Sequence, residues 1–551
     1  MLNSQTLKAW KCSKFKPYGK YRFIGKCDVM NLRWSLGVWL GIVVQVIFSV
    51  SQLQAEETLL LPTATEEGAV WRYSTATPET DWKSPDFDDS HWEEGTAGFG
   101  VPDIVTPVET VNTPWETLQL YLRKTIEVSS FEDLSGITVL VRHDEDVQLY
   151  CNGTLVFVAE GFNTEYDAYD VTDAMKDTLK NGMNTLAVRV SQSGGGQYFD
   201  MGLILNPTAR AERTIDLESV IERQVLVEQL QAERWTTEQA WEWYEEVSPI
   251  VGCNYVPRTA VNSTEMWQSL TFDPVTIKQE LAWAEKAGFN SVRVFVQFAV
   301  YENEPDGLLR NMDQFLTIAD QHGLSVLVIL LDDCFLPEPT LGPQPDPIPG
   351  VHNSQWTSSP GNERRQPEHW PELKTYVQGV VGHFRDDERI LAWDLYNEAS
   401  PGSRPLVEQA FAWAQEMEPV QPLTSCWQAL DISDVLTFHD YATPRPNVLA
   451  KIHADRPAFC TECIARTLDS RFENVMPAFA ESGVGWYMWG LVQGRIQTEF
   501  PWGSVERENP PEPDPWFHDL FRPDGTPYRE VELELIQSYI DDFQMPQPVE
   551  Q

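Results

Sequence analysis

Two glutamates stand where they could share one reaction. The apolar run Leu391-Ala-Trp-Asp-Leu-Tyr-Asn-Glu398 ends in Glu398, and Ala458-Phe-Cys-Thr-Glu462 ends in Glu462. Paired carboxyls suit a reaction in which one group donates a proton to a leaving oxygen. The other stays ionised, to stabilise or attack an electron-poor carbon. Cleavage of a glycosidic bond is chemistry of this kind. The spacing between the two carboxyls decides between retention and inversion at that carbon, and the sequence does not carry it.

Such a pair needs a scaffold that aims both side chains at one place. Eight apolar, β-branched runs recur from Val251 onward: Val251–Pro257, Ser291–Val296, Ser325–Leu331, Leu391–Glu398, Leu423–Trp427, Val435–Tyr441, Ala458–Cys463 and Gly483–Val492. Helical patterns separate several of them. Asp273-Pro274 opens one helix with a capping Asp and a first-turn Pro, and Gly288 stops it. Buried runs alternating with helices predict a parallel sheet, and eight of them predict a (β/α)8 barrel over residues 250–545. The helix after the fifth run is poorly marked. The alternative, an open doubly wound sheet, lacks a Gly-rich phosphate loop after its first strand. In a barrel of this kind the working residues project from the C-terminal strand ends, where Glu398 and Glu462 lie.

Residues 251–545 resemble glycoside hydrolase clan A, and most closely the cellulase-like enzymes of family 5. The resemblance rests on Trp393-Asp-Leu-Tyr-Asn-Glu398 at strand four and Thr461-Glu462 at strand seven. It implies Glu398 as acid/base, Glu462 as nucleophile, and retention of configuration. It further implies that Arg293 in Asn290-Ser-Val-Arg293 contacts the nucleophile and keeps it ionised. Asn397 would bond a sugar 2-hydroxyl. His439 and Tyr441 in Phe438-His-Asp-Tyr441 resemble the family's His-x-Tyr, with Tyr441 reaching Glu462 and His439 lining the cleft. Trp489 in Trp486-Tyr-Met-Trp489 resembles the aromatic floor under the reacting sugar.

A Pro-rich loop of about 40 residues follows the third strand, too long for a simple connector. It predicts a cleft wall, with Asp332, His352 and Trp356 as candidate sugar contacts. Asp332, Asp333 and His352 are too loosely spaced to read as a metal site. No cofactor is expected for the reaction itself.

Upstream, residues 56–207 alternate in short runs such as Leu118–Val128, Ile137–Arg142, Val147–Cys151 and Asn184–Val190. Asn152-Gly153 marks a tight hairpin. The pattern predicts an all-β sandwich. The phrases Asp81-Trp-Lys-Ser-Pro-Asp-Phe-Asp-Asp-Ser-His-Trp92 and Asp144-Glu-Asp-Val-Gln-Leu-Tyr-Cys-Asn-Gly153 resemble the galactose-binding-like jelly-roll domains appended to many glycoside hydrolases. Asp144, Glu145 and Asp146 are candidate ligands of a structural calcium, although an acidic turn is more often simply solvated. Residues 208–249 are charged and helix-forming, a connector whose second helix Thr237 can cap.

The 551-residue chain carries 83 Asp and Glu against 40 Lys and Arg, a net charge of −43. That balance argues against nucleic-acid partners, which need a basic face. Residues 1–55 run the other way, with eight basic residues, one acid (Asp28), and an apolar stretch from Trp34 to Val50. They read as a signal peptide for export to periplasm, exterior or cell surface, or as a membrane anchor if uncleaved. Removing their +7 leaves −50. Six cysteines remain, too few for a disulfide scaffold, and Cys460-Thr-Glu-Cys463 reads as buried thiols. The expected partner is a neutral poly- or oligosaccharide. The competing reading is a noncatalytic carbohydrate-binding protein built on a degenerate barrel.

Overall fold

The structure, a computed structural model, describes residues 57–102, 110–129, 135–144, 146–192, 197–209, 211–334, 338–442 and 456–546. The expected leader lies outside them. No helix among the described residues is long and apolar enough to cross a membrane.

The C-terminal part is a nearly closed barrel of eight parallel strands: β1 (Val251–Asn254), β2 (Ser291–Phe295), β3 (Ser325–Asp332), β4 (Ile390–Asn397), β5 (Leu423–Thr424), β6 (Leu436–His439), β7 (Ala458–Cys463) and β8 (Gly485–Met488). Their order in the sheet is β5-β4-β3-β2-β1-β8-β7-β6. Every residue of β1, β2, β4, β7 and β8 is buried, as expected of strands sandwiched between helices and a filled interior. Interior volume is tight. A Cβ on Gly252 would sit 2.3 Å from the ring of Tyr487, whose hydroxyl lies 2.8 Å from Ser291 Oγ.

The weakly marked region after the fifth run is where the ring departs from regularity. Strands β5 and β6 are shorter than the runs that predicted them, and no helix joins them. Hydrogen bonds outside the ladder close the gap. Leu423 N–H donates to Asp434 Oδ2 at 2.8 Å, Asp434 N–H to Leu423 O at 2.8 Å, and Thr424 Oγ1 to Val435 O at 2.8 Å.

Two helices occupy the segment between the sheets and the barrel, α1 (Leu217–Glu233) and α2 (Thr237–Val247). The cap of α2 is Thr236, not Thr237. Gln239 stands three positions after Thr236, and the two exchange side chain-to-backbone bonds at 3.2 and 2.9 Å, a full capping box. Helix α2 plugs the N-terminal mouth of the barrel. Trp241 and Tyr244 pack with Leu327, Leu391, Phe459 and Tyr487, and the Tyr244 hydroxyl donates to Gly483 O and accepts from Gly485 N–H. Arg223 on α1 reaches Glu160 of the sheets and Glu408 of the barrel, the latter through Nη2 at 2.9 Å.

The N-terminal part is two mainly antiparallel sheets around one core. Asn152 and Gly153 both take positive φ, 48° and 91°, as a two-residue hairpin of the expected kind demands. Glu145 lies outside the described residues. Asp146 Oδ1 accepts the Gly161 N–H at 2.8 Å.

Tyr244→Phe removes one buried hydroxyl and strands the groups it served. We expect a loss of about 1–3 kcal/mol, seen as a lower Tm; an unchanged Tm would show the plug is not held this way.

Candidate active site

The site is assembled on one buried cation. Arg293, on β2, is fully buried. Its Nη1 donates to Glu462 Oε1 and to Asn254 Oδ1, both at 2.8 Å. Its Nη2 donates to Asp394 Oδ2 at 2.7 Å and to Asn397 Oδ1 at 2.6 Å. Burial works against the guanidinium charge, but Asp394 and Glu462 outweigh it and hold the group protonated.

Glu462 lies on β7 and is 5% exposed. Both of its oxygens are held, Oε1 by Arg293 and Oε2 by the Tyr441 hydroxyl at 2.6 Å. Burial and then the Glu462 charge push the Tyr441 phenol well above its ordinary value, so Tyr441 stays a donor. Glu398 follows β4 directly, with φ of 45°, a left-handed conformation that costs a non-glycine residue and recurs at functional sites. Its Oε1 accepts from His439 Nδ1 at 2.7 Å and its Oε2 from the Cys334 thiol at 2.8 Å. His439 Nδ1 also lies 3.5 Å from Glu462 Oε2, so one imidazole stands between the two carboxylates. Burial opposes its charge. The Glu462 charge, then the Cys426 sulfur and the bond to Glu398, prevail and push His439 well above its ordinary value.

One ligand atom each from Glu398, His439 and Glu462 falls within 4.8 Å of the others, a spacing that a metal ion would accept. Arg293 on Glu462 and the proton on His439 already supply positive charge there. A metal would compete with both for the same oxygens.

Six of the residues singled out in the sequence thus converge: Arg293, Asn397, Glu398, His439, Tyr441 and Glu462. Asn397 is buried and engaged on both sides, accepting from Arg293 and donating to Asp332 Oδ1 at 2.9 Å. Trp489 follows β8, rather than lying in it, and its ring meets Phe295 and Trp356 edge-on, with centroids 5.7 and 6.2 Å away.

The three candidates from the end of β3 and the loop after it are not open to a sugar. Asp332 is 3% exposed and accepts from Asn397, Trp356 Nε1 at 2.9 Å and Cys334 N–H at 3.0 Å. Burial pushes its carboxyl up to about 7 against those bonds. Trp356, 2% exposed, braces Asp332 and the ring of Trp489. His352 is also buried. It fixes the loop after β8, with Nδ1 2.7 Å from Phe500 O and its N–H donating to Ser504 Oγ at 2.9 Å. All three support the site from behind.

The sequence reading passed over Asn254, Cys334, Asp394 and Trp427. Asn254 and Asp394 were visible as polar residues within fully buried strands. Trp427 closed the predicted fifth run, so the strand-end rule that picked out Glu398 also pointed to it.

No family model matches the chain, and no curated protein matches it. Solved structures do. A GH5_18 protein from Streptomyces cattleya in complex with GlcNAc matches at 14% identity and TM-score 0.38, over 55% of this chain and 82% of that one. The exo-beta-1,4-mannosidase Op5Man5 from Opitutaceae bacterium strain TAV5 matches at 19% identity and TM-score 0.38, over 53% and 60%. A beta-glucuronidase from an uncultured Clostridium sp. matches at 10% identity and TM-score 0.32, over 88% and 97%. The neighbours are glycoside hydrolases. At these scores the likeness carries no conclusion for this chain.

Burial tends to raise the Glu398 carboxyl. His439, through its bond and its charge, and then the Cys334 thiol reverse this and hold it below its ordinary value. A proton-donating Glu398 is lost as pH rises through that lowered value, so the descending limb of kcat/KM is expected in the acid range. Cys334→Ala removes a donor to the anion and should move the limb to higher pH, and His439→Asn should move it further. A limb that stays put in both variants would remove Glu398 from the role of acid.

Proposed function

We propose that the chain is an exported glycoside hydrolase that cleaves O-glycosidic bonds of a neutral poly- or oligosaccharide by retaining double displacement. One observation carries the reading. Two glutamates at the ends of β4 and β7 present oxygens within 4.8 Å of each other, in contrasting environments. Carboxyls about 5–5.5 Å apart suit attack by one of them on the anomeric carbon, whereas inverting pairs stand roughly 6.5–9.5 Å apart to admit a water.

The environments assign the roles. Glu462 is clamped at both oxygens by Arg293 and Tyr441, which aims a carboxylate and keeps it from rotating away. It attacks the anomeric carbon as the bond to the leaving oxygen breaks. Glu398 is more exposed, with 23% of its side chain open against 6% for Glu462. It gives its proton to the leaving oxygen, then takes one from the water that releases the sugar from Glu462. His439 touches both carboxylates and moderates their repulsion through the cycle. Trp489 supplies a floor for the reacting ring, on the resemblance noted above.

The clan A assignment, and family 5 within it, remain part of this proposal, as do export through residues 1–55 and a jelly-roll, galactose-binding-like identity for the sandwich. A noncatalytic carbohydrate-binding protein is the competing reading. The complete set of Arg293, Asn397, Glu398, Tyr441 and Glu462 argues against a degenerate site.

A panel of aryl glycosides and polysaccharides tests the reading. The wild type should turn over at least one of them, Glu462→Ala should lose activity by about a thousandfold or more, and azide should restore turnover to Glu462→Ala as a glycosyl azide. NMR of the first-formed sugar should show retained configuration. Equal inertness of wild type and Glu462→Ala across the panel would overturn hydrolysis; an inverted first product would overturn the double displacement.

A further inference from the structure

The N-terminal sheets turn one outer face into a cleft. Along the neighbouring strands Gln119–Val128, Gly182–Ser191 and Asp146–Cys151, Leu120, Leu122, Val188 and Leu149 point into the core. Alternation therefore puts Gln119, Tyr121, Arg189, Gln148 and Tyr150 on the opposite face. The ladder sets Arg189 directly between Tyr121 and Gln148. A space of about 470 Å³ opens over these five residues, bounded by the segment that carries Thr80, Trp82 and Lys83.

No Asp or Glu among the described residues lines that space, in a chain with 83 acids against 40 bases. Lys83 holds its ammonium 4.6 Å from the centre of the Tyr150 ring. Burial raises the Tyr150 phenol and the charge of Arg189 opposes it, so both cations act on one ring. Neither Lys83 nor Arg189 forms an ion pair with a described residue. Their neighbours differ. Arg123, on the same face, is matched by Asp89 Oδ2 at 2.8 Å, and Arg223 and Arg404 share Glu408.

The groups left over are donors. Gln148 Oε1 is taken by the Tyr150 hydroxyl and Gln119 Oε1 by Arg189 Nε, both at 2.9 Å. The Lys83 ammonium, the terminal nitrogens of Arg189 and the amide nitrogen of Gln148 remain. Tyr121 is 5% exposed, and its hydroxyl meets no partner among the described residues. A hydroxyl so far buried is ordinarily satisfied, which points to a ligand. The donors are also held in place. Arg123 Nη1 donates to Trp82 O and, at 3.0 Å, to Ser84 O, the carbonyls on either side of Lys83.

We propose that this face binds an oxyanion, a carboxylate or a sulfate ester, with Lys83 and Arg189 as charged donors and Tyr121 and Gln148 completing its contacts. A donor-rich cleft without acids selects a ligand that only accepts, and hydrogen bonds between ionised partners are the strong ones. The space is larger than one such group needs and suits a small molecule that carries it. It runs on, still walled by Lys83, Gln148, Tyr150 and Arg189, into a second space of about 550 Å³ between the sheets, α1 and the barrel. An acidic sugar is the carrier that fits, its hydroxyls meeting the polar walls and its anion the two cations. The site does not depend on the reaction proposed for the two glutamates.

The test titrates the full chain at low salt with sodium sulfate, sodium glucuronate, trigalacturonate and the uncharged galactotriose of the same linkage, by calorimetry. Trigalacturonate should bind and galactotriose should not. Lys83→Met and Arg189→Met should each weaken binding about tenfold or more, Lys83→Arg should keep most of it, and added salt should weaken it. Trigalacturonate binding well above glucuronate and sulfate assigns the site to acidic sugar chains; equal affinities assign it to the free oxyanion. In the wild type, trigalacturonate should also shield Lys83 from reductive methylation read by mass spectrometry, a measurement independent of how any variant folds. Binding is read without turnover, and the methionine variants should match wild type on aryl glycosides, so this proposal and hydrolysis are answered separately. Failure of every oxyanion to bind, galactotriose binding as tightly as trigalacturonate, or binding unaltered in both methionine variants would overturn it.

Discussion

A guanidinium sealed inside a barrel is the constraint around which this site is built. An isolated charge there would cost far more than a domain's net stability, so Arg293 is viable only if the strands around it supply acceptors. Four strands take part. Arg293 itself comes from β2, Asn254 from β1, Asp394 and Asn397 from β4, and Glu462 from β7. Each of these contacts is fixed by its place on a buried strand, so the register of the sheet and the satisfaction of one cation are the same requirement. Asp394 neutralises the guanidinium structurally. Glu462 is then the second carboxylate on a charge already matched, which suits it to the nucleophile's role proposed above.

The layer behind the site follows from that arrangement. Asn397 accepts from Arg293 and donates to Asp332, and Asp332 accepts from Trp356, whose ring abuts Trp489. A chain of single contacts thus runs from the buried cation to the expected floor of the cleft. The Pro-rich loop belongs to this layer. It is laced to the segment after β8 through Gly350 N–H to Gln497 Oε1 and Asn353 N–H to Ile496 O, both bonds backed by the grip of His352 on either side of Trp502. Its length serves to tie two strand-end loops together, and its prolines limit the freedom lost in doing so.

What could be read from the sequence, and what could not, divides along physical lines. Glu398 and Glu462 were legible because a parallel strand buried on both faces has a sharp apolar signature, and its last residue has a fixed direction in a barrel. His352 and Trp356 were misjudged because a loop has no period; Asp332 ends β3, one residue past the run that predicted that strand, and Asn397 and Trp356 cover it. Nothing in Pro-rich sequence tells whether a ring turns outward to a ligand or inward to a brace. The cap of α2 was off by one residue because two threonines stand side by side, and only Gln239 distinguishes them. The irregular closure between β5 and β6 showed only as a missing helix pattern, since Asp434 and the pair Thr424 and Thr437 do their work through side chains that no strand propensity records. Cys334 was passed over with the buried thiols, whereas it is the half-buried one that meets a carboxylate.

The electrostatics of the free site raise a question that its geometry also answers. Glu398, the proposed acid, is held below its ordinary value by His439 and Cys334, which favours the wrong ionisation state for donation at neutral pH. Yet burial is the largest influence on Glu398, and it acts upward. A sugar chain seated in the cleft would strip water from the one carboxylate that still has some, and so add to that influence. His439 keeps its proton near both carboxylates at 2.7 and 3.5 Å, so the proton Glu398 needs is already one hydrogen bond away. In the proposed double displacement Glu462 becomes an ester, so its charge is gone and less favours protonation of His439. Glu398 can then settle as an anion, the form required to activate water. The alternation of carboxylate, imidazole and carboxylate is therefore suited to the role proposed for Glu398, an acid in the first half of the cycle and a base in the second.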